Sequence, residues 1–145
     1  MNLQPVEILL VEDSHADAEM TMRTLKRRGI ANHVEWVKDG VEALEFLSCS
    51  GAFTGRRNGT PKMVLLDLKL PRMDGLQVLD HIKQNPATRH IPVVMMTSSR
   101  EEGDLLASYQ RGVNSFVVKP VDFTEFAETV ARIGMYWMLA NETPG

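Results

Sequence analysis

Residues 63–75 read Met-Val-Leu-Leu-Asp-Leu-Lys-Leu-Pro-Arg-Met-Asp-Gly, an apolar run that ends at one carboxylate and is followed by turn residues. Consecutive apolar residues of this length are typical of a strand buried on both faces, and Pro71 with Asp74-Gly75 stops the run from continuing as strand or helix. A carboxylate at the tip of a buried strand costs free energy unless a cation, a helix N-terminus or water receives it. Asp67 is therefore either a functional acid or a cap for the turn after it, and the other strand ends must decide between the two.

The chain has 145 residues, of which 43% are hydrophobic and 24% are charged. This length and composition predict one globular domain over residues 1–145, with a real core and no room for a second domain. The formal net charge of −3 gives no electrostatic reason to expect a nucleic-acid partner. No apolar run is long enough to predict a membrane span.

Two features of the sequence favour a cytoplasmic protein. The N-terminus reaches a strand-like segment at once, without the basic flank and cleavage site of a secretion signal. The single cysteine, Cys49, excludes an internal disulfide, which fits a reducing compartment.

Strand-like and helix-like segments alternate along the chain. The predicted strands cover residues 6–11, 33–38, 63–67, 91–97 and 115–119. The predicted helices cover residues 16–28, 40–50, 75–84, 100–111 and 122–139, and residues 51–61 are expected to form a mobile surface loop. This alternation predicts an α/β architecture, with a parallel sheet, right-handed crossovers and helices on both faces.

Polar residues stand at the carboxyl ends of most of these strands. They are Glu12 and Asp13 after the first strand, Asp67 at the end of the third, Thr97 of the fourth and Lys119 of the fifth. Because the carboxyl ends of parallel strands lie along one edge of the sheet, we expect these side chains to converge on one pocket at the topological switch point. Separate local caps would have to explain every one of these positions independently.

This set of side chains suits one kind of chemistry. Crowded carboxylates raise one another's pKa values and destabilise a fold unless a cation joins them, and oxygen ligands in a pocket open to water suit Mg²⁺. Mg²⁺ held by Asp13 and Asp67, with Glu12 acting through water, would leave one Asp67 oxygen free to attack phosphorus and form an aspartyl phosphate. The Lys119 ammonium and the Thr97 hydroxyl would then pair with phosphoryl oxygens.

At these residues the sequence resembles the receiver domain of two-component response regulators, over about residues 6–132. The matching motifs are Glu12-Asp13, Leu65-Leu66-Asp67-Leu68-Lys69-Leu70-Pro71-Arg72-Met73-Asp74-Gly75, Thr97-Ser98 and Phe116-Val117-Val118-Lys119-Pro120. The resemblance implies a five-stranded flavodoxin-like sheet in the order 2-1-3-4-5, Asp67 as phosphoacceptor and a sensor histidine kinase as partner. It also implies Mg²⁺, or Mn²⁺ in its place, with the backbone carbonyl of Lys69 as a further ligand, and a switch face at Thr97 and Phe116.

One further segment narrows the resemblance. It reads Asp39-Gly40-Val41-Glu42-Ala43-Leu44-Glu45-Phe46-Leu47, and with the long loop after it is similar to single-domain regulators that serve bacterial phytochrome kinases. Three residues depart from the commonest family pattern. Glu12 replaces the usual Asp, Lys69 leaves the lifetime of the phosphoryl group open, and Phe116 lacks the hydroxyl of the more usual Tyr.

Two other functional classes stay open beside the signalling switch, which catalyses only its own phosphorylation and dephosphorylation. An enzyme with an aspartyl-phosphate intermediate typically needs a second acid just beyond the nucleophile, where this chain has Leu68-Lys69. A phosphate-independent adaptor or a flavodoxin-like cofactor binder is disfavoured by the intact acid set and by the lack of a phosphate-cradling loop after the first strand. The glycines Gly55 and Gly59 lack the Gly-Lys-Ser/Thr ending that a nucleotide-binding loop requires.

Several polar residues have simpler interpretations. Asp13-Ser14 and Asp74 are candidate helix caps, and Arg56-Arg57 is expected to be solvated in its loop. The histidines of the chain do not have the spacing of metal ligands.

The predicted final helix, residues 122–139, carries more apolar surface than one face can hold. Consecutive helical positions point all round the axis, so the run Met135-Tyr136-Trp137-Met138-Leu139 cannot face only the domain's own core. Exposed apolar surface of this kind usually marks an interface, although a loop folded over it is an alternative. We therefore predict a homodimer with Met135, Trp137, Met138 and Leu139 at its interface.

Overall fold

The computed structural model describes residues 6–29, 33–56, 59–107 and 115–132. Its strands are β1 (Ile8–Val11), β2 (Val34–Val37), β3 (Met63–Asp67), β4 (Val93–Thr97) and β5 (Ser115–Val118). Its helices are α1 (His15–Arg27), α2 (Gly40–Ser48), α3 (Gly75–Gln84), α4 (Arg100–Ala107) and α5 (Phe123–Arg132), and a 3₁₀ helix covers Gly51–Phe53.

The strands form one parallel sheet in the order β2-β1-β3-β4-β5. This confirms the predicted α/β fold, including the strand order. Every residue of β3 is buried, as expected for the central strand, whereas most of β2 is only half-buried at the edge. Residues 63–67 therefore form the central strand of the sheet, and Asp67 is its last residue.

Strand side chains alternate between two apolar clusters, one on each face of the sheet. The first cluster contains Leu9, Val11, Val64, Leu66 and Met95 with residues of α2 and α3. The second contains Ile8, Leu10, Met63, Leu65, Val94 and Met96 with residues of α1 and α5. Because a slip of one residue would exchange the two faces, this packing fixes the register of the strands and aligns their carboxyl ends.

The helices that follow β1 and β3 begin at side-chain caps. The Ser14 hydroxyl accepts a hydrogen bond from the backbone N–H of Asp17 at 3.2 Å. Asp74 forms a reciprocal capping box with Gln77, in which both hydrogen bonds are 3.0 Å long. The predicted cap at Asp74 is thus confirmed, and Ser14 rather than Asp13 caps α1.

The loop after α2 differs from its prediction at Arg56. The Arg56 guanidinium lies 3.8 Å from the centroid of the Phe46 ring and donates to the Phe46 carbonyl oxygen through Nε at 3.0 Å and Nη2 at 2.7 Å. Arg56 therefore packs on the end of α2, and its predicted solvated state is wrong. A guanidinium can stack on a ring and satisfy a carbonyl of the last helical turn at once, which explains the contact. Arg57 lies outside the described residues.

The predicted ends of two helices also lie outside the described residues. The predicted part of α4 beyond residue 107 is not among them. Neither is the predicted extension of α5 to residue 139, which contains the proposed interface residues Met135, Trp137, Met138 and Leu139. Among the helices that the structure describes, none has both the length and the apolar character required to cross a bilayer.

Candidate functional site

Three strands bring their terminal charged residues together at one edge of the sheet. Glu12 and Asp13 follow β1, Asp67 ends β3 and Lys119 follows β5. The parallel register pairs Val11 with Leu66, so the acids that follow these two residues lie on neighbouring strands. We call Glu12, Asp13, Asp67 and Lys119 the acidic site. These residues lie together at one edge of the sheet, as the sequence predicted.

The Lys119 ammonium is the centre of the acidic site. Its Nζ lies 3.1 Å from Glu12 Oε1, 3.1 Å from Asp67 Oδ2 and 3.2 Å from Asp17 Oδ2. Asp17 is absent from the sequence-based set. The only signal for it is an acid in the first turn of α1, which a favourable interaction with the helix dipole would already explain.

Glu12 and Asp67 are almost fully removed from water. Glu12 is 0% exposed and Asp67 is 4% exposed. Burial, and then the neighbouring Asp67 charge, raise the pKa of Glu12 to about 7, although hydrogen bonding from the Ser14 N–H and the Lys119 charge oppose the rise. For Lys119, burial works against the charged form, but its hydrogen bonds and ion pairs with Asp67 and Glu12 outweigh burial and hold its pKa above the usual value. The site is thus short of positive charge.

The acidic site fits a hard divalent cation. Glu12, Asp13 and Asp67 each offer a carboxylate oxygen, and these atoms lie within 4.8 Å of one another. A cavity of about 180 Å³ opens beside them, and the exposed Asp13 gives it access to water. Carboxylate oxygens with water in the remaining positions are the ligand set that Mg²⁺ and Mn²⁺ accept.

A second ion pair lies at the mouth of this cavity. The Lys69 ammonium is 3.2 Å from Glu102 Oε2, and Glu102 Oε1 accepts hydrogen bonds from the backbone N–H and the hydroxyl of Ser98, both at 3.0 Å. The Ser98 N–H is the main cause of a lowered pKa at Glu102. The Lys69 N–H donates to Asp67 Oδ1 at 3.3 Å. The Lys69 side chain thus points to α4, and its carbonyl as a metal ligand stays a prediction.

Thr97 reaches the same edge of the sheet with its hydroxyl engaged elsewhere. Its side chain is 1% exposed, and its Oγ1 donates to the Ser99 carbonyl oxygen at 2.9 Å. To bind a phosphoryl group on Asp67, the hydroxyl must exchange this partner.

Phe116 lines a larger cleft beside β5, which Lys119 also lines. This cleft, of about 820 Å³, lies between α4, β5 and α5, and we call it the switch cleft. The Arg100 guanidinium lies 5.6 Å from the centroid of the Phe116 ring and is paired with Glu125 at 2.6 Å. A Cβ at Gly103 would overlap the ring, so the glycine leaves room for it. No pattern in the sequence indicates this notch.

Comparisons with known proteins agree with this geometry. Residues 8–131 match the response regulator receiver domain. The chain is 43% identical to the probable methanogenesis regulatory protein FilR2 of Methanothrix harundinacea (strain 6Ac), over 97% of this chain and 89% of FilR2. It is 39% identical to the response regulator Rcp1 of Synechocystis sp. (strain ATCC 27184 / PCC 6803 / Kazusa), over 92% of this chain and 90% of Rcp1.

The similar solved structures include two regulators that match nearly the whole chain. The bacteriophytochrome response regulator AtBRR is 51% identical, with a TM-score of 0.88 and coverage of 98% of this chain and 100% of AtBRR. The Mn²⁺-bound form of Rcp1 is 38% identical, with a TM-score of 0.72 and coverage of 97% of this chain and 100% of that one.

Proposed function

Because the chain belongs to the response regulator receiver domain family, whose members accept phosphoryl groups in signalling, we propose that Asp67 is its phosphoacceptor. The observation that carries this proposal is the environment of Asp67. It is a buried carboxylate at the end of the central strand, 3.1 Å from the Lys119 ammonium and inside a cluster of three acids. No other acid in the described residues combines these properties.

The transfer step follows from the two oxygens of Asp67. One oxygen forms a bond to phosphorus while the P–N bond of a phosphohistidine breaks, and the imidazole nitrogen keeps the electron pair and takes up a proton. Lys119, already beside Oδ2, stabilises the negative charge on the transferring group. The Lys69 N–H, beside Oδ1, orients the carboxylate. The protein thus acts on its own carboxylate and is not a conventional enzyme with an outside substrate.

Receiver domains of this family bind a divalent metal, and we propose Mg²⁺ for this chain, with Mn²⁺ as an alternative supported by the Mn²⁺-bound form of Rcp1. The metal would neutralise the crowded carboxylates and the incoming phosphoryl charge. Asp13 and Asp67 would be direct ligands. Glu12 would act through water, since its two oxygens already accept hydrogen bonds from Lys119 and the Ser14 N–H.

The switch face is part of the same proposal. A phosphoryl oxygen on Asp67 draws the Thr97 hydroxyl away from the Ser99 carbonyl. The space this opens lets Phe116 turn, and α4 repacks against β5. Phosphorylation would then shift the population between two packings of the switch cleft.

Membership of the family implies a histidine kinase partner, and we propose that this kinase is a phytochrome. The support is the similarity to AtBRR, a bacteriophytochrome response regulator. We further propose a homodimer through Met135, Trp137, Met138 and Leu139, on the sequence pattern alone, and no nucleic-acid partner. The single Cys49 supports the cytoplasm as the compartment.

Intact-mass measurement after incubation with acetyl phosphate and Mg²⁺ tests the phosphoacceptor. We expect wild type to gain the mass of one phosphoryl group and Asp67→Asn to gain none. Asp74→Asn is the matched control, because it makes the same chemical change nearby at a helix cap that Asn also satisfies. Equal labelling of Asp67→Asn and Asp74→Asn would refute the assignment.

A further inference from the structure

Asp17 contacts Lys119 of the acidic site, and the proposed function does not use this contact. Its carboxylate lies 3.2 Å from Lys119 Nζ, at the same range as Glu12 and Asp67. An ammonium has three N–H donors, and each of them therefore has one carboxylate partner here. Asp67 ends β3, Glu12 directly follows β1, and Asp17 lies in α1.

An ordinary helix-start role does not account for this contact. The N-terminus of α1 is capped by the Ser14 hydroxyl, and Asp17 contributes only its backbone N–H to that cap. Its side chain is 39% exposed, whereas the side chain of Lys119 is 19% exposed. The carboxylate thus reaches inward from a partly solvated helix to a shielded cation.

Phosphoryl transfer changes one of the three partners of Lys119. Once Asp67 carries a phosphoryl group, the ammonium must exchange the Asp67 carboxylate for a phosphoryl oxygen. Glu12 and Asp17 are the two carboxylates that this exchange leaves in place, and they lie on different elements, after β1 and in α1. Two anchors on different elements fix a flexible four-carbon side chain, whereas one anchor leaves it free to rotate.

We propose that Asp17 is a positioning residue, which holds the Lys119 ammonium over the reacting carboxylate so that its remaining N–H meets the phosphoryl group. This inference rests on the proposed phosphoacceptor role of Asp67. The opposite effect is also physically reasonable, because a nearby negative charge repels the phosphoryl group and competes with it for Lys119. The two effects predict opposite changes in rate when Asp17 is replaced.

The test measures the rate of phosphoryl uptake from acetyl phosphate at saturating Mg²⁺, followed by intact mass. Asp17→Ala should slow uptake by roughly tenfold, the size of a lost charge-assisted hydrogen bond. Asp17→Asn, which keeps the shape of the side chain, should lie between this variant and wild type. The control is Glu19→Ala, which removes the same charge from an exposed position of α1 and should label at the wild-type rate.

A double-mutant cycle separates positioning from a structural role. In a Lys119→Met background, Asp17→Ala should cause no further loss of rate, because the residue through which Asp17 acts is gone. An equal loss in both backgrounds, an unchanged rate in Asp17→Ala, or faster uptake in Asp17→Asn would overturn the proposal. Failure of wild type itself to label would instead refute Asp67 as phosphoacceptor, so the two failures are distinct.

Discussion

The acidic site and the switch cleft adjoin each other at Lys119, which lines both, but they are built differently. In the acidic site, a partly shielded Lys119 is paired with Glu12 and Asp67 beside a cavity of about 180 Å³, and it also pairs with Asp17 of α1. In the switch cleft, the half-buried Phe116 rests beneath one largely exposed arginine, Arg100, in a space of about 820 Å³. Ion pairs hold the first arrangement together, whereas the second leaves open space beside Phe116.

This difference matches the two tasks that we propose. Phosphoryl transfer needs reacting groups that are already in position. A readout needs an element with two packings of similar free energy. Substitutions in the acidic site should therefore cost more stability than substitutions in the switch cleft.

Removal of the central cation should have the largest effect. Lys119→Met leaves Glu12 and Asp67 buried without their main positive partner, and we expect the free energy of unfolding to fall by roughly 2–4 kcal/mol in the absence of divalent metal. Mg²⁺ should restore part of the loss. Urea unfolding at neutral pH, with and without Mg²⁺, measures both the loss of stability and its recovery. Lys26→Met, at an exposed position of α1, is the control, and similar losses in both variants would show that the acidic site is not preorganised by Lys119.

The second prediction concerns pH in the absence of metal. The pKa of Glu12 is about 7 in the folded protein and 4.5 in the unfolded chain. The folded protein therefore keeps this proton where the unfolded chain releases it, and the contribution of Glu12 to stability falls as pH rises from about 4.5 to about 7.

Glu12→Gln removes this titration. The difference in unfolding free energy between variant and wild type should change by roughly 1–3 kcal/mol across that pH window and stay constant above it. Urea unfolding in a chelator, at several pH values, gives both curves. Parallel curves would mean that Glu12 is not proton-coupled to folding.

The third prediction tests the notch in the switch cleft. Gly→Ala inside a helix normally stabilises a protein. At Gly103 the added Cβ would overlap the Phe116 ring, and we expect the free energy of unfolding to fall by about 1–2 kcal/mol in total. In a Phe116→Leu background the same substitution should stabilise. Thermal or urea unfolding of wild type, the two single variants and the double variant provides the comparison. If Gly103→Ala stabilised the otherwise wild-type protein, Gly103 would not be needed to leave room for the Phe116 ring.

The smallest effect on stability is expected at Thr97. Thr97→Ala loses one neutral hydrogen bond to the Ser99 carbonyl, so the free energy of unfolding should fall by about 1 kcal/mol or less. The variant should still be phosphorylated, but a fluorine label on Phe116 should no longer shift when Asp67 is modified. Ser98→Ala is the neighbouring hydroxyl control and should keep the shift. An unaltered shift in Thr97→Ala would show that Thr97 does not couple the two regions.

The sequence was sufficient to predict the acidic site, because the carboxyl ends of the strands lie along one edge in any parallel sheet. Glu12, Asp67 and Lys119 could be placed together from the hydrophobic pattern and the position of each charge. Asp17 could not, since its contact depends on how α1 lies over β1 and on the reach of a lysine side chain.

The switch cleft depends on shape, which a single sequence does not reveal. The role of Gly103 becomes visible only when the ring that faces it is known. The same limit explains the error at Arg56. A glycine-rich loop predicts solvent exposure, but the stacking of a guanidinium on Phe46 is a tertiary contact. Composition and periodicity carry no information about such contacts.

Chemical trapping of the modified residue tests the central claim most directly. The protein is phosphorylated with acetyl phosphate and Mg²⁺, reduced with borohydride, which converts an aspartyl phosphate to homoserine, and mapped by peptide mass spectrometry. We predict homoserine at position 67 alone, dependent on Mg²⁺ and absent from an unphosphorylated sample. Homoserine at Asp13, Asp17 or another acid, with Asp67 unchanged, would contradict this account of the site.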